Sequence, residues 1–288
     1  MRTAAPAIFR TVADARAWRR DRVDVALVPT MGALHEGHLS LVDAARDLAP
    51  AVVVSIFVNP TQFGPKEDFA AYPRDEQADL RLLTSRGVDA VFAPSVDEMY
   101  PPADDTRVRP GAIAAPLEGK ARPGHFEGVA TVVAKLFGIV GPTVALFGQK
   151  DFQQLRVIQT MTRAFRLPVR VVGCPIVREA DGLALSSRNR YLSADERRAA
   201  TVLSRGLFKA QAAFRRGTRD ADTLRNTVVM ELAAEPLCRT DYVSVADPLS
   251  LAELDGRADR AVVSLAARFG KARLIDNVLL GMALEELD

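Results

Sequence analysis

Up to Val177, short apolar runs alternate with stretches whose apolar positions recur every three or four residues. The runs Ile8–Phe9, Asp24–Val28, Ala51–Val58, Ala90–Ala93, Thr143–Phe147 and Val169–Val172 have the length and side-chain character of strands. Between them, Val12–Arg22 (with Trp18 on its inner side), Leu39–Leu48, Asp75–Arg86, Gly128–Val140 and Phe152–Phe165 carry helical spacing. Ala51–Val58 is unbroken and rich in β-branched residues, the pattern of a strand buried on both faces of a parallel sheet. Strands alternating with helices predict an α/β fold: a doubly wound, Rossmann-like parallel sheet with right-handed crossovers.

Beyond Val177 the rhythm changes. Asp195–Arg215 and Ala221–Ala234 read as two helices, and Asp241–Val245, Arg260–Ala267 and Ala272–Asp276 follow as strands with no helix between them. Strands in succession imply antiparallel pairing, hence a second, smaller α+β domain over residues 178–288 after a first domain over 1–177. Tyr100–Gly124 contains five prolines and no clear period, which predicts a long loop of the kind that usually has a function.

Composition narrows the class. The chain has 288 residues, enough for one large or two smaller cores, and a net charge of +2 sets up no field that favours nucleic acid or an anionic membrane. The longest apolar run is far too short to span a bilayer, and the N-terminus lacks a signal-peptide core. Cys174 and Cys238 are the only cysteines and form no paired motif, so a reducing, cytoplasmic setting is expected. Only six of the 38 basic residues are lysines, which draws attention to any lysine inside a loop motif.

Four loop motifs carry chemistry. Val28–Ala45 runs from a strand through Pro29, Thr30, Gly32 and Gly37 into a helix, with His35 and His38 three residues apart. Such a junction offers free backbone N–H groups and a helix dipole to a phosphate, and histidines at i and i+3 face one side. Two other readings compete: one histidine merely helps to cap the helix, or the pair joins His125, the third and last histidine, as metal ligands. Asn59–Gly64 follows the buried strand, and Gln62 there can both donate to and accept from a polar substrate. Phe147–Gln154 places Lys150 at another strand-to-helix junction, with Asp151 able to cap, to accept from a ribose hydroxyl or to bind metal. Asp181–Asn189 sets Ser186 and Ser187 beside Arg188 at the domain boundary, a composition suited to a phosphate clamp on a mobile hinge.

Pro29-Thr30-Met31-Gly32-Ala33-Leu34-His35-Glu36-Gly37-His38 resembles the His-x-Gly-His signature of the nucleotidylyltransferase superfamily, and more specifically that of the pantothenate synthetases, the pantoate–β-alanine ligases. The other motifs follow in that family's order, from about residue 24 to 192, with a weaker continuation at Arg273–Asn277. The resemblance implies an AMP-forming carbon–nitrogen ligase that joins (R)-pantoate to β-alanine through an acyl adenylate. It implies ATP contacts at Met31, Gly32, Ala33, Leu34, His35, Glu36, Gly37 and His38, at Gly148, Gln149, Lys150 and Asp151, at Val177, and at Leu185, Ser186, Ser187 and Arg188. His38, His35 and Lys150 take the catalytic roles, Gln62 and Gln154 bind pantoate and then β-alanine, and His125 helps to line the pocket. Mg²⁺ is expected with ATP, with Asp79 or Asp151 as its candidate carboxylate, and the family is typically homodimeric. A nucleotidylyltransferase that stops after moving AMP, or a nucleotide-binding protein without catalysis, would share the first motif without needing the glutamines.

Overall fold

The apolar runs of the first part of the chain become six strands: β1 (Ala7–Phe9), β2 (Val25–Thr30), β3 (Ala51–Ile56), β4 (Ala90–Phe92), β5 (Val144–Gly148) and β6 (Arg170–Cys174). In this computed structural model, which describes residues 5–65, 67 and 69–287, they pair in parallel in the order β1-β4-β3-β2-β5-β6. The direction of winding reverses between β2 and β5, and the carboxyl ends of strands at such a reversal are where open α/β sheets take ligands.

Helices α1 (Val12–Arg20), α2 (Glu36–Leu48), α3 (Glu76–Ser85), α4 (Val96–Met99), α5 (Glu118–Ala121), α6 (His125–Val140) and α7 (Phe152–Ala164) fill the connections. Ala26, Val28, Val52 and Val54 pack with Leu39, Val42 and Ala45 of α2 and Leu83 of α3. Val25, Leu27 and Val53 alternate with those positions, so they project to the opposite face, and they are equally buried. The sheet is therefore covered on both sides, as the expected doubly wound class requires.

By its internal contacts the chain divides into two units, the first comprising residues to Gly148 with Gln154–Cys174, the second Gln149–Gln153 with Pro175–Leu287. In the second, α8 (Ala194–Ala199), α9 (Val202–Arg215) and α10 (Ala221–Ala233) precede an antiparallel sheet of β7 (Arg239–Ala246), β8 (Ala261–Phe269) and β9 (Ala272–Leu280). Leu203, Leu207 and Phe214 of α9 and Leu224 and Val228 of α10 pack with Val263, Leu265 and Phe269 of β8 in one apolar core.

Several boundaries depart from the sequence reading for identifiable reasons. Strand β2 runs through Pro29 to Thr30 instead of stopping before the proline. Its ladder to β5 ends at Leu27, so the N–H that Pro29 lacks is not needed there, while pairing with β3 continues to Thr30. The single helix expected over Asp195–Arg215 is two, because the Thr201 hydroxyl donates to the Arg198 carbonyl at 2.8 Å and competes with the helical ladder. Helix α6 starts at His125, three residues early, after Gly124 adopts a left-handed φ of 85°. The long loop holds two single turns, Ala112–Ala114 and α5.

Helix α6 positions a loop that matters below. Gly128 lies so close to the turn Pro60–Gln62 that an added Cβ would sit 2.7 Å from the Gln62 Cα and well inside contact of the Thr61 carbonyl. Backbone cannot yield as a flexible side chain does, so Gly128→Ala should cost about 1–3 kcal/mol of unfolding free energy. Urea denaturation compares the two proteins directly, and an unchanged midpoint would show that the turn is free to move away.

Candidate active site

The segment after β2 is shaped from beneath. The Thr30 hydroxyl donates to the Ser55 carbonyl at 2.6 Å and accepts from the Gly32 N–H at 3.2 Å. Gly32 and Ala33 both have positive φ, 78° and 51°. That turn aims the next two N–H groups inward at Asp79 of α3: Ala33 donates to Oδ2 at 2.9 Å and Leu34 to Oδ1 at 2.8 Å. A Cβ on Gly32 would lie 2.9 Å from Asp79 Oδ2, so glycine is required there by space as well as by φ.

His35 is the N-cap of α2, and the two histidines cap it reciprocally. Its Nδ1 accepts from the Gly37 N–H at 3.1 Å, and the His38 Nδ1 accepts from the His35 N–H at 3.4 Å. The capping role, one of the competing readings of the pair, is realised by both histidines. It also fixes chemistry. An imidazole whose Nδ1 accepts carries its proton on Nε2, so in each ring Nε2 is the donor nitrogen. The rings lie with centroids 4.1 Å apart. The N–H groups of Gly32, Ala33, Leu34, His35 and Gly37 are committed within the protein.

Gln62 sits in a built frame of the same unit. Its Nε2 donates to the Met31 Sδ at 3.3 Å and its Oε1 accepts from Asn59 Nδ2 at 3.0 Å. Asn59, 1 % exposed, also donates to the Gly128 carbonyl and accepts from the Thr61 and Tyr100 hydroxyls, both at 2.9 Å. Burial raises the Tyr100 phenol above its usual range, so the group remains a donor. In the sequence Asn59 marks only the start of the segment after the buried strand; the signal for its supporting role is a polar residue directly after an apolar stretch, Ile56-Phe57-Val58.

His125 does not join the other histidines. Its Nδ1 donates to the Gln62 carbonyl at 2.9 Å and its Nε2 accepts from Arg122 Nη1 at 3.0 Å. Arg122 in turn grips Glu67 through Nε and Nη2, both at 2.7 Å. Burial, aided by the Arg122 charge, lowers the His125 pKa to about 4. Burial opposes ionisation of Glu67, but the Arg122 hydrogen bonds and charge outweigh it and hold the carboxyl below its ordinary value. His125 thus supports the main chain of Gln62 and is occupied on both nitrogens, which removes it as a third metal ligand. Among the described residues no group of three or more His, Cys, Asp or Glu side chains could hold a metal ion.

The second unit carries the remaining predicted contacts, and Gln154 stays with Gly148 in the first. Gln149–Asp151 form a single 3-10 turn, with Lys150 half-buried and Asp151 exposed. Val177 to Leu185 forms a hydrogen-bonded hairpin: the Leu185 N–H donates to the Val177 carbonyl at 3.0 Å, and Arg178 pairs with Ala184. Arg197 locks it by donating to Glu179 at 2.6 Å and to Asp181 at 2.8 Å. Ser186 then caps the short turn Ser187–Tyr191 by accepting from the Arg188 N–H.

The His125 ring gives a pH prediction with a definite sign. Its folded pKa lies below the ordinary 6.5, so between about 4 and 6.5 the unfolded chain binds more protons than the folded one. The stability linked to this ring is complete above about pH 6.5 and is lost as pH falls toward 4, on the order of 3 kcal/mol. His125→Gln cannot titrate, so its stability should fall less between pH 7 and 4.5 than that of the parent chain. Urea unfolding at the two pH values measures both slopes; equal slopes would mean that the ring is not held neutral.

The chain is similar to known proteins over most of its length. The family described as pantoate-β-alanine ligase matches residues 7–279. A pantothenate synthetase of Chloroflexus aurantiacus is 58% identical over 274 residues, spanning 95% of this chain and 98% of that protein. The crystal structure of pantothenate synthetase from Thermus thermophilus superposes with a TM-score of 0.91 at 49% identity, over 94% of this chain and 98% of that one. A pantoate-β-alanine ligase from Francisella tularensis, crystallised with β,γ-ATP and β-alanine, gives 0.80 at 34% identity over 97% and 99%. With residues 7–279 matched by the family and nearly its whole length covered by similar proteins, the chain belongs to the pantoate-β-alanine ligase family.

Proposed function

We propose that this chain joins (R)-pantoate to β-alanine in two steps through a pantoyl adenylate. A carboxylate resists attack by an amine because oxide or hydroxide would have to leave. In the first step a pantoate carboxylate oxygen attacks the α-phosphorus of ATP, the bond to the β-phosphate breaks, and pyrophosphate departs. In the second the neutral amine of β-alanine attacks the acyl carbon, the acyl–phosphate bond breaks, and AMP leaves while the amine gives up a proton.

The observation that carries this reading is the reciprocal capping of His35 and His38, which turns both Nδ1 atoms onto the backbone and makes Nε2 the donor nitrogen of each ring at the start of α2, beyond the carboxyl end of β2. Donors fixed before the reaction stabilise charge as it grows on phosphate oxygens without reorganising. Met31 joins this loop to Gln62, whose amide is assigned to pantoate together with Gln154. Lys150, Ser186, Ser187 and Arg188 are assigned to the triphosphate and the departing pyrophosphate, with Gly148, Gln149, Asp151, Val177 and Leu185 as nucleotide contacts. The Francisella complex supports ATP and β-alanine as substrates.

Mg²⁺ accompanies ATP in this proposal. Exposed Asp151, on the same turn as Lys150, fits it better than Asp79, which is 3 % exposed and already accepts from Ala33 and Leu34. When bound, the ion would offset phosphate charge; Asp151 would hold it with waters and phosphate oxygens. A cytoplasmic homodimer is part of the same proposal; the two cysteines, one buried and one half-buried and both free, suit a reducing compartment.

Two experiments test it. His38→Ala should lower turnover by roughly 10²–10³ with a smaller loss of ATP affinity, because the donor acts mainly as charge develops. His35→Asn separates capping from catalysis: asparagine is a good N-cap, so stability should hold while turnover falls by a similar factor. Near-normal turnover in either variant would sink the donor role.

The second experiment follows labelled pyrophosphate. Pantoate alone should support its exchange into ATP, since adenylation is reversible and needs no amine, and β-alanine alone should support none. Gln154→Ala should weaken pantoate-dependent exchange more than ATP binding. Exchange that strictly required β-alanine would rule out a free-standing adenylate step, and AMP appearing on a phosphorylated acceptor would favour a nucleotidylyltransferase.

A further inference from the structure

Strand β9 carries two consecutive polar residues, Asp276 and Asn277, each only 2 % exposed. Polar groups this deep are costly unless their hydrogen bonds are complete, so what they bind indicates what they are for. Asn277 Nδ2 donates to the carbonyl oxygens of Gln149 at 2.9 Å and Lys150 at 3.0 Å, and its Oδ1 accepts from Gln149 Nε2 at 3.1 Å. All three bonds go to the turn that bears Lys150.

Asp276 serves the other nucleotide segment of the same unit. Arg178 donates to its two carboxylate oxygens at 2.6 and 2.8 Å, a two-pronged grip that fixes the guanidinium plane. The same guanidinium donates to the Gly182 carbonyl at 3.0 Å and to the Asn277 carbonyl at 3.4 Å. Arg178 lies in the hairpin that delivers Ser186–Arg188. Adjacent residues of one strand therefore hold both segments to which phosphate contacts are assigned.

We propose that Asn277 is a positioning residue for Lys150, and that the Arg178–Asp276 pair holds the Ser186–Arg188 segment in the same frame, so that the second unit presents its phosphate donors as one pre-set group. This rests on the nucleotide reading above. The lysine side chain is flexible, and anchoring the carbonyls on both sides of its Cα limits where its ammonium can reach.

The test is a double-mutant cycle on the intact protein, read as ATP affinity by calorimetry, with Asn277→Ala, Lys150→Ala and the two combined. Asn277→Ala removes both carbonyl bonds and should weaken ATP binding roughly 10- to 100-fold while the KM for pantoate changes less than about 2-fold. In the Lys150→Ala background the same change should cost less than about 3-fold, because a positioning residue has nothing left to position. Unchanged ATP affinity in Asn277→Ala, or an equal loss in both backgrounds, would overturn the inference while leaving the nucleotide reading in place. If Lys150→Ala itself bound ATP and turned over normally, that reading would fall and the inference with it. Asn277→Ser, which keeps a short donor on β9, replaces the alanine variant in the cycle should the latter not fold, and the same outcomes decide.

Discussion

One carboxylate, that of Asp79, determines how the chain leaves the central sheet. The turn at Gly32 and Ala33 points two successive N–H groups away from solvent, and only a buried acceptor makes that tolerable. Once they are satisfied there, those two N–H groups are not offered to an anion as they are in glycine-rich phosphate loops. The two histidines that follow cap the helix through their Nδ1 atoms, which puts the proton of each ring on Nε2. The buried carboxylate thus shapes the turn from which both rings are presented.

The same economy appears in both units. Asn59 in the first and Asn277 in the second are nearly inaccessible amides, and each donates Nδ2 to main-chain carbonyls of another segment. An amide offers donors and an acceptor in a fixed plane, so one side chain can tie a loop to an element in a single orientation. Asn59 aligns the side chain of Gln62, and Asn277 aligns the backbone at Lys150. Rigid support of this kind keeps catalytic groups within the narrow tolerance that positioning demands.

Much of the fold was legible because its signals are local. Uninterrupted apolar runs such as Ala51–Val54, and the switch from alternating elements to consecutive strands, gave the parallel sheet and the smaller antiparallel one. Boundaries were less so, since they depend on partners: Pro29 is admitted to β2 only because the neighbouring ladder has ended, and Thr201 divides a helix through a hydroxyl whose direction is set by the fold. In the candidate site, residue types with evident chemistry (His35, His38, Gln62, Lys150) stood out in the sequence. Their supports did not. Asp79 lies 46 positions from Ala33, Arg122 lies 60 from Gln62, and Asn277 lies 127 from Lys150; no short pattern joins them. Capping by one histidine was open in the sequence, but its reciprocal form depends on ring orientations that only the folded loop sets.

The contact between Gln62 and the Met31 thioether has a consequence for selectivity. Sulfur is a weak acceptor, and a donor resting on it at 3.3 Å is kept in place without being strongly held. An oxygen acceptor placed beside that amide would displace the sulfur and gain a stronger bond, whereas a group without one would leave the amide where it is. The methionine thus keeps the amide oriented while making its exchange to a better acceptor inexpensive.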